Sequence, residues 1–190
     1  MLHEPFLVLH VVAAALLIGG GLLLAASGYG LLALDRGREL VPWTVLAMVS
    51  APMTVASGVA LFATGGHLAA TAWSFSEGWI TISTIALTVL GVATLVIYRR
   101  LWTLVGEVRG LGEERVDDDL RARLASPVIW AVAHALVLSG PAFIVVMVLK
   151  TPFLTTGLWL GGAAVLGVAS GIAFSRRARG AGLAAGAAAR

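Results

Sequence analysis

The chain contains no cysteine. That removes disulfides, thiolate metal sites, iron–sulfur clusters and covalently attached c-type haem from consideration. It leaves the redox compartment open. Charge is scarce as well: 12% of the 190 residues are Asp, Glu, Lys or Arg, where a soluble domain carries about 25%. No carboxylate falls inside any long apolar run, which argues against a proton- or cation-coupled pump relay. Walker loops, HExxH metalloprotease sites and GxSxG nucleophile elbows are all missing from the sequence. The net charge of +3 does not point to nucleic acid, because the arginines flank apolar spans as membrane orientation requires.

What remains is hydrophobic: 59% of the residues are apolar and the mean hydropathy is +0.95. Residues 6–34 form a run of 29 without a single charge, and about 20 apolar residues suffice for a helix to cross a bilayer. Preceded by MLHEP, with no basic leader and far too long for a signal core, this run reads as a helix retained in the mature protein. Four more spans follow at about 41–64, 79–98, 127–149 and 153–174. Pro42 opens the second, while Pro52 and Pro141 lie inside the second and fourth, where each is expected to kink the helix. Gly65-Gly66-His67 reads as the start of a loop. Residues 99–126 form the one long polar segment. Its apolar positions recur at helical spacing, which suggests an amphipathic stretch lying on the membrane surface. Asp117 reads as a helix cap, and the Gly/Ala-rich tail beyond Gly180 as disordered.

The expected fold is therefore all-α, a polytopic transmembrane bundle. A four-helix membrane domain over 1–152 is followed by a fifth span and tail over 153–190. All twelve arginines lie in the loop after span one, the loop after span three, or the tail, and Lys150 is the single lysine. With five spans the arginine-rich side is cytoplasmic, which puts the N-terminus outside and the C-terminus inside. The six tryptophans sit near span ends, as anchors in the interfacial belt do. Small-residue faces recur at Gly19–Gly21, Ser50 and Gly58, Ser83 and Gly91, and Gly157-x-x-x-Gly161 and Gly167-x-x-x-Gly171. They read as packing seams between helices, with a homo-oligomer through span five as the alternative.

Four histidines are the candidate chemistry. In this topology His3, His10, His67, Met147 and Lys150 gather toward the outer face, while His134 lies deep on the inner side. Imidazole and thioether ligands suit haem iron or copper. His10 and His134 differ in depth by more than about 10 Å at 1.5 Å per residue, too far to share one haem. The expected cofactor site is therefore His10 with His67 or Met147 for a b-type haem. For copper it is the set His3, His10, His67 and Met147. The simpler reading of His10 and His134 is a hydrogen bond to a neighbouring helix, of His67 an interfacial loop residue, of His3 a solvated one, and of Lys150 an interfacial snorkelling residue.

His10 with the following glycines, the segment Trp73-Ser-Phe-Ser-Glu-Gly-Trp79-Ile80 and the ending Met147-Val-Leu-Lys150-Thr-Pro152 carry a resemblance over residues 6–152. The chain resembles the bacterial predicted-integral-membrane-protein family, which is similar to the copper-resistance D (CopD)-like membrane domains. More distantly it is similar to HemJ-type protoporphyrinogen oxidases, from which only the early histidine, His10, carries over. The resemblance implies a four-helix bundle in a bacterial inner membrane, with haem or copper handling as the associated chemistry. Three functional expectations follow: a haem-bearing electron-transfer or accessory unit serving a respiratory or periplasmic redox protein, a copper transport or tolerance protein, or a structural subunit without a cofactor.

Overall fold

A computed structural model describes the backbone of residues 3–33 and 36–188 and the side chains of 4–33 and 36–180. Within them regular structure is helical throughout: α1 His3–Ala33, α2 Gly37–Thr71, α3 Gly78–Gly110, α4 Asp118–Leu124, α5 Pro127–Leu149 and α6 Phe153–Ala188. One isolated antiparallel bridge joins Arg36 to Arg115. Five helices are long and apolar enough to cross a membrane. The chain is a multi-pass helical membrane protein by length and composition.

Four boundaries differ from those read in the sequence, and in α2 and α3 tertiary packing overrides a local signal. α2 begins four residues earlier, where the Gly37 amide donates to the Glu114 carbonyl at 3.0 Å. It also continues through Gly65, Gly66 and His67, so the double glycine is helix and not loop. A glycine costs about 1 kcal/mol in a helix interior; here the missing side chain makes room for His10, whose Cε1 would lie 3.1 Å from a Cβ at position 65. α3 runs unbroken past Arg99-Arg100 for 33 residues. Its apolar stripe does not lie on the membrane. Leu104, Val105 and Val108 are buried against Leu31, Leu40, Leu120 and Leu124 in a protein core. At the other terminus the α6 backbone is helical through Ala188, where the sequence suggested disorder. Pro52 and Pro141 sit inside helices that continue on both sides of them.

The bundle is built from two close pairs, α1 with α2 and α5 with α6, and α3 packs against α2, α5 and α6. Its surface has the polarity of a lipid-facing protein. Leu154, Leu158, Val165 and Leu166 of α6 are each about two-thirds exposed or more. Ser27, Thr44, Thr54 and Ser57 are buried and donate to carbonyls of their own helices. Hydroxyls and small residues inside with large aliphatics outside is the arrangement that lets helices approach in a solvent as apolar as leucine. Backbone approaches backbone closely between α5 and α6. A Cβ on Gly171 would fall 2.1 Å from the Trp130 carbonyl oxygen, and one on Gly167 2.4 Å from the Ala135 Cα. The Gly167-x-x-x-Gly171 face is thus an intramolecular seam, and α6 is packed into the bundle alongside the four preceding spans. Gly157 and Gly161 meet nothing within 4 Å.

The two ends differ. At one, the ends bearing Arg36, Arg38, Arg115, Arg123 and Arg179 come together. Asp117 caps α4 by accepting from the Leu120 amide at 2.7 Å, and the carbonyls that α4 leaves unpaired are taken by other helices. Trp130 Nε1 donates to Leu124, Ser175 to Ala125, and Arg179 to Ala125 and Ala122. Trp130, read as a belt anchor, is in fact 2% exposed and structural. Trp79 is buried too, at the opposite end, in a core with Ala69, Ile80, Ala142, Val146 and Leu160. Trp102 and Trp159 retain the exposure a belt residue needs.

Candidate functional site

Away from the arginine end, α1, α2, α3 and α5 enclose a cavity of about 530 Å³. His10, Gly65, Ser83, Met147, Trp79 and Lys150 are among the residues lining it, within walls otherwise mostly aliphatic and aromatic. A second void, of about 50 Å³ near Gly28 and Trp130, is lined almost wholly by apolar groups and reads as a packing gap.

His10 is held by one hydrogen bond whose direction can be worked out. The Thr64 hydroxyl lies 2.9 Å from His10 Nδ1 and 2.7 Å from the Ala60 carbonyl. A carbonyl only accepts, so the single hydroxyl hydrogen goes to Ala60. Thr64 must then receive the Nδ1 hydrogen, which leaves Nε2 with a bare lone pair. That is the state of an imidazole prepared to ligate a metal or to accept a proton. The neighbouring Gly65 supplies the space the ring occupies.

Met147 lines the same cavity as His10. His67 is not among the lining residues; its ring stacks on Phe6 with centroids 3.8 Å apart and planes 25° apart. The side chain of His3 lies outside the described residues. Of the three described members of the set read for copper, His10 and Met147 line the cavity and His67 does not. Among the described residues no group of three or more His, Cys, Asp or Glu gathers in a manner that could hold a metal ion. Lys150 ends α5 in a left-handed conformation, φ 48°. Its ammonium stands 5.1 Å from the centre of the Trp73 ring, within cation–π range. The snorkelling lysine thus has a definite seat at the cavity.

His134 belongs to a separate polar cluster near the other end of α1. The Ser170 hydroxyl donates to the Gly167 carbonyl at 3.0 Å, so His134 Nδ1 donates to Ser170 at 2.9 Å. Nε2 then accepts from the Tyr29 hydroxyl at 2.7 Å. Trp130 and Phe174 pack around the pair. Both ring nitrogens are satisfied within the protein, and the ring joins α1, α5 and α6. This is the bland role the sequence allowed for an intramembrane histidine, and here it holds.

Two contributors were not anticipated. Thr64 sets the tautomer of His10. Ser83 on α3 is 4% exposed and its hydroxyl has no hydrogen-bond partner. Neither carries a sequence signal, because serine and threonine occur along these spans mainly to bond their own helices.

Comparison with family models, with curated proteins and with solved structures finds no match to this chain. The functional reading therefore rests on the cavity and its residues.

Proposed function

We propose that the protein is a redox-cofactor-holding subunit of a bacterial inner membrane, with its arginine end in the cytoplasm and the cavity toward the outer face. The cofactor is a b-type haem, and the partner is a respiratory or periplasmic redox protein. The observation that carries this reading is the bare Nε2 of His10, held on the wall of a cavity that Met147 also lines. The cavity volume lies within the range of about 300–1,000 Å³ usual for small-molecule sites. Its donor set, one imidazole and one thioether in apolar walls, is chemistry that suits haem iron.

The chain's own residues have distinct tasks in this reading. Thr64 and the Ala60 carbonyl fix the His10 tautomer and ring orientation, which maintains the basicity of Nε2. Met147 supplies the second, softer donor. Trp79 and the aliphatic walls would limit water, and the Lys150 ammonium would be available to an acidic group of the cofactor. When bound, the haem supplies one-electron transfer. Copper is the less favoured cofactor, since among the described members of the set the sequence suggested one imidazole and one thioether line the cavity.

The test is a reduced-minus-oxidised visible spectrum of the detergent-purified protein, with metal analysis on the same sample. A Soret band and a reduced α-band, lost in His10→Ala and shifted in Met147→Leu, are expected. A protein that binds no haem even when supplied with it would overturn the reading. It would leave the structural-subunit alternative, in which replacing the histidines costs no function.

A further inference from the structure

Of the residues that line the cavity, Lys150 alone carries a formal charge. It is also the single lysine of the chain. Among the described residues it is the one non-glycine with a positive φ, a conformation usually left to glycine at a helix end. Glycine would serve that turn as well; the lysine adds a cation beside the cavity. Its ammonium rests over the Trp73 ring, 5.1 Å from the centre. The described carboxylates at this end, Glu4 and Glu77, are exposed and form no ion pair with it. The cation therefore stands at the cavity without a counter-ion.

The cavity is long in the direction of the helices. Its lining runs from Leu7 to Gly21 on α1 and from Leu136 to Lys150 on α5. Each of these runs covers about 21 Å at 1.5 Å per residue. At the end away from Lys150, Leu136 packs against Gly21, its Cδ2 3.3 Å from a Cβ placed on the glycine. Ile18, Leu90 and Val137 line that end and offer no polar side chain. Polarity is thus graded along the axis, with a cation at one end and hydrocarbon at the other. A wholly apolar occupant would take water from the ammonium and give nothing in return. One that carries an anion at that end gains a charge-assisted contact.

We infer that the cavity takes a single-chain amphiphile with a carboxylate head, a long-chain fatty acid. Lys150 binds the head, and the chain lies along α1 and α5 toward Gly21 and Leu136. One unpaired cation matches one negative charge, and a cavity elongated along the helices matches one extended chain. The inference uses neither His10 nor iron, so it goes beyond the cofactor reading and stands or falls separately from it.

A single lysine makes the site directly observable. Reductive methylation with isotopically labelled formaldehyde marks Lys150 and the α-amine alone, keeps their charge, and is assigned by the signal lost in Lys150→Arg. The full chain is placed in phosphatidylcholine nanodiscs at about pH 8.5, where carboxylate and ammonium are both charged. Dodecanoate should then move the Lys150 methyl resonance saturably, and dodecanol should not. Ala14→Trp on α1 and Leu87→Trp on α3 each put an indole into the cavity. Either should weaken dodecanoate binding about tenfold, the worth of roughly two displaced methylene groups; the second serves if the first does not fold. Val89→Trp, on an exposed position of α3 that does not line the cavity, should leave binding unchanged. The lysine itself is tested by radiolabelled dodecanoate retained above protein-free nanodiscs. Lys150→Gln should weaken binding about tenfold and Lys150→Arg should preserve it. A shift equally large with dodecanol, one insensitive to both indoles, or equal retention in Lys150→Gln would overturn the inference. So would an equal shift with dioleoylphosphatidylglycerol, since Lys150 would then be reading any anionic lipid surface. A missing Soret band alongside these effects would count against haem alone.

Discussion

The two ends of this bundle are made from similar helices and solve opposite problems. At the arginine end backbone meets backbone. Gly171 leaves no room for a methyl group against Trp130, and Gly37 likewise admits none against Gly112. The carbonyls at the end of α4 are each received by a side chain from α5 or α6. At the other end α1, α2, α3 and α5 stand apart around a cavity of about 530 Å³. Close packing is the main source of helix association in lipid, and the cavity end has it at one point, where Gly78 admits no methyl group against the Phe153 backbone. Around the cavity itself contacts that could have been made are forgone. Ligand capacity is therefore confined to the half of the bundle away from the arginines.

The sharpest test of the packing is within α6, whose glycines meet either a neighbouring backbone or nothing. Gly171→Ala puts a Cβ against the Trp130 backbone, which cannot move aside as a side-chain tip can. A destabilisation of about 3 kcal/mol is expected, at the upper end for overpacking. Gly161→Ala enters open space and should be neutral or stabilising by about 0.5 kcal/mol through helix propensity. Unfolding in mixed detergent micelles measures both. Equal effects at the two positions would mean that the packing contrast is not where stability resides.

The next effect belongs to the cavity end. Thr64→Val keeps shape and removes the acceptor for His10 Nδ1–H, so the imidazole loses its fixed tautomer. Haem affinity, read by titration of the Soret band, should fall about 10- to 100-fold, as when a partner of a metal-bound histidine is removed. Thermal stability should change far less than for Gly171→Ala. If Thr64→Val binds haem as well as the unaltered chain, Nδ1 is not held in the way described.

How much of this could be read beforehand follows the same division. The five spans and the lipid-facing aliphatics were legible because hydropathy integrates over a whole helix. Helix ends were not. Gly65-Gly66 carries a loop composition, yet it stays helical because His10 of another helix fills the space beside it. Trp130 and Trp102 look alike in sequence, each near a span end, and one is core while the other faces outward. Which side of an apolar helix points inward is a property of its neighbours, and in lipid the hydropathy pattern hardly reports it. The candidate site was half legible. Imidazole and thioether are rare enough inside spans for His10 and Met147 to stand out, and their relative depth followed from counting residues. His67 does not line the cavity, and its ring stacks on Phe6. Thr64 and Ser83 were hidden among some twenty hydroxyl residues that differ from them only in what surrounds them.

Returning to the arginine end, Ser175→Ala tests its hydrogen bonds. The buried Ser175 hydroxyl donates to the Ala125 carbonyl, but that oxygen also accepts from Arg179 Nε at 3.1 Å. The carbonyl is not orphaned by the mutation, so the loss should be about 1 kcal/mol, an ordinary hydrogen bond. The double variant with Arg179→Ala should exceed the sum of the singles, because only then is a buried acceptor left bare. Simple additivity would show that water reaches Ala125 and that this end is less closed than its packing suggests.

The smallest effect decides between shape and charge as the cause of that closure. Arg38 and Glu113 form an ion pair at 3.1 Å, but their side chains are 78% and 72% exposed. An exposed pair of this kind contributes from nothing to about 1 kcal/mol, and Glu113→Gln is expected to cost less than about 0.5. Beside it, the backbone bond from Gly37 to Glu114 and the tight fit of Gly37 against Leu111 survive the change. If the end is held by shape, stability in 50 mM and in 500 mM salt should differ little, since at the higher salt the screening length falls to a few ångströms, about 4 Å. Stability that drops steeply with salt, and a Glu113→Gln variant as damaged as Ser175→Ala, would make the ion pairs the cause. The arginines would then be structural as well as topological, and the contrast between the two ends would be one of charge before it is one of packing.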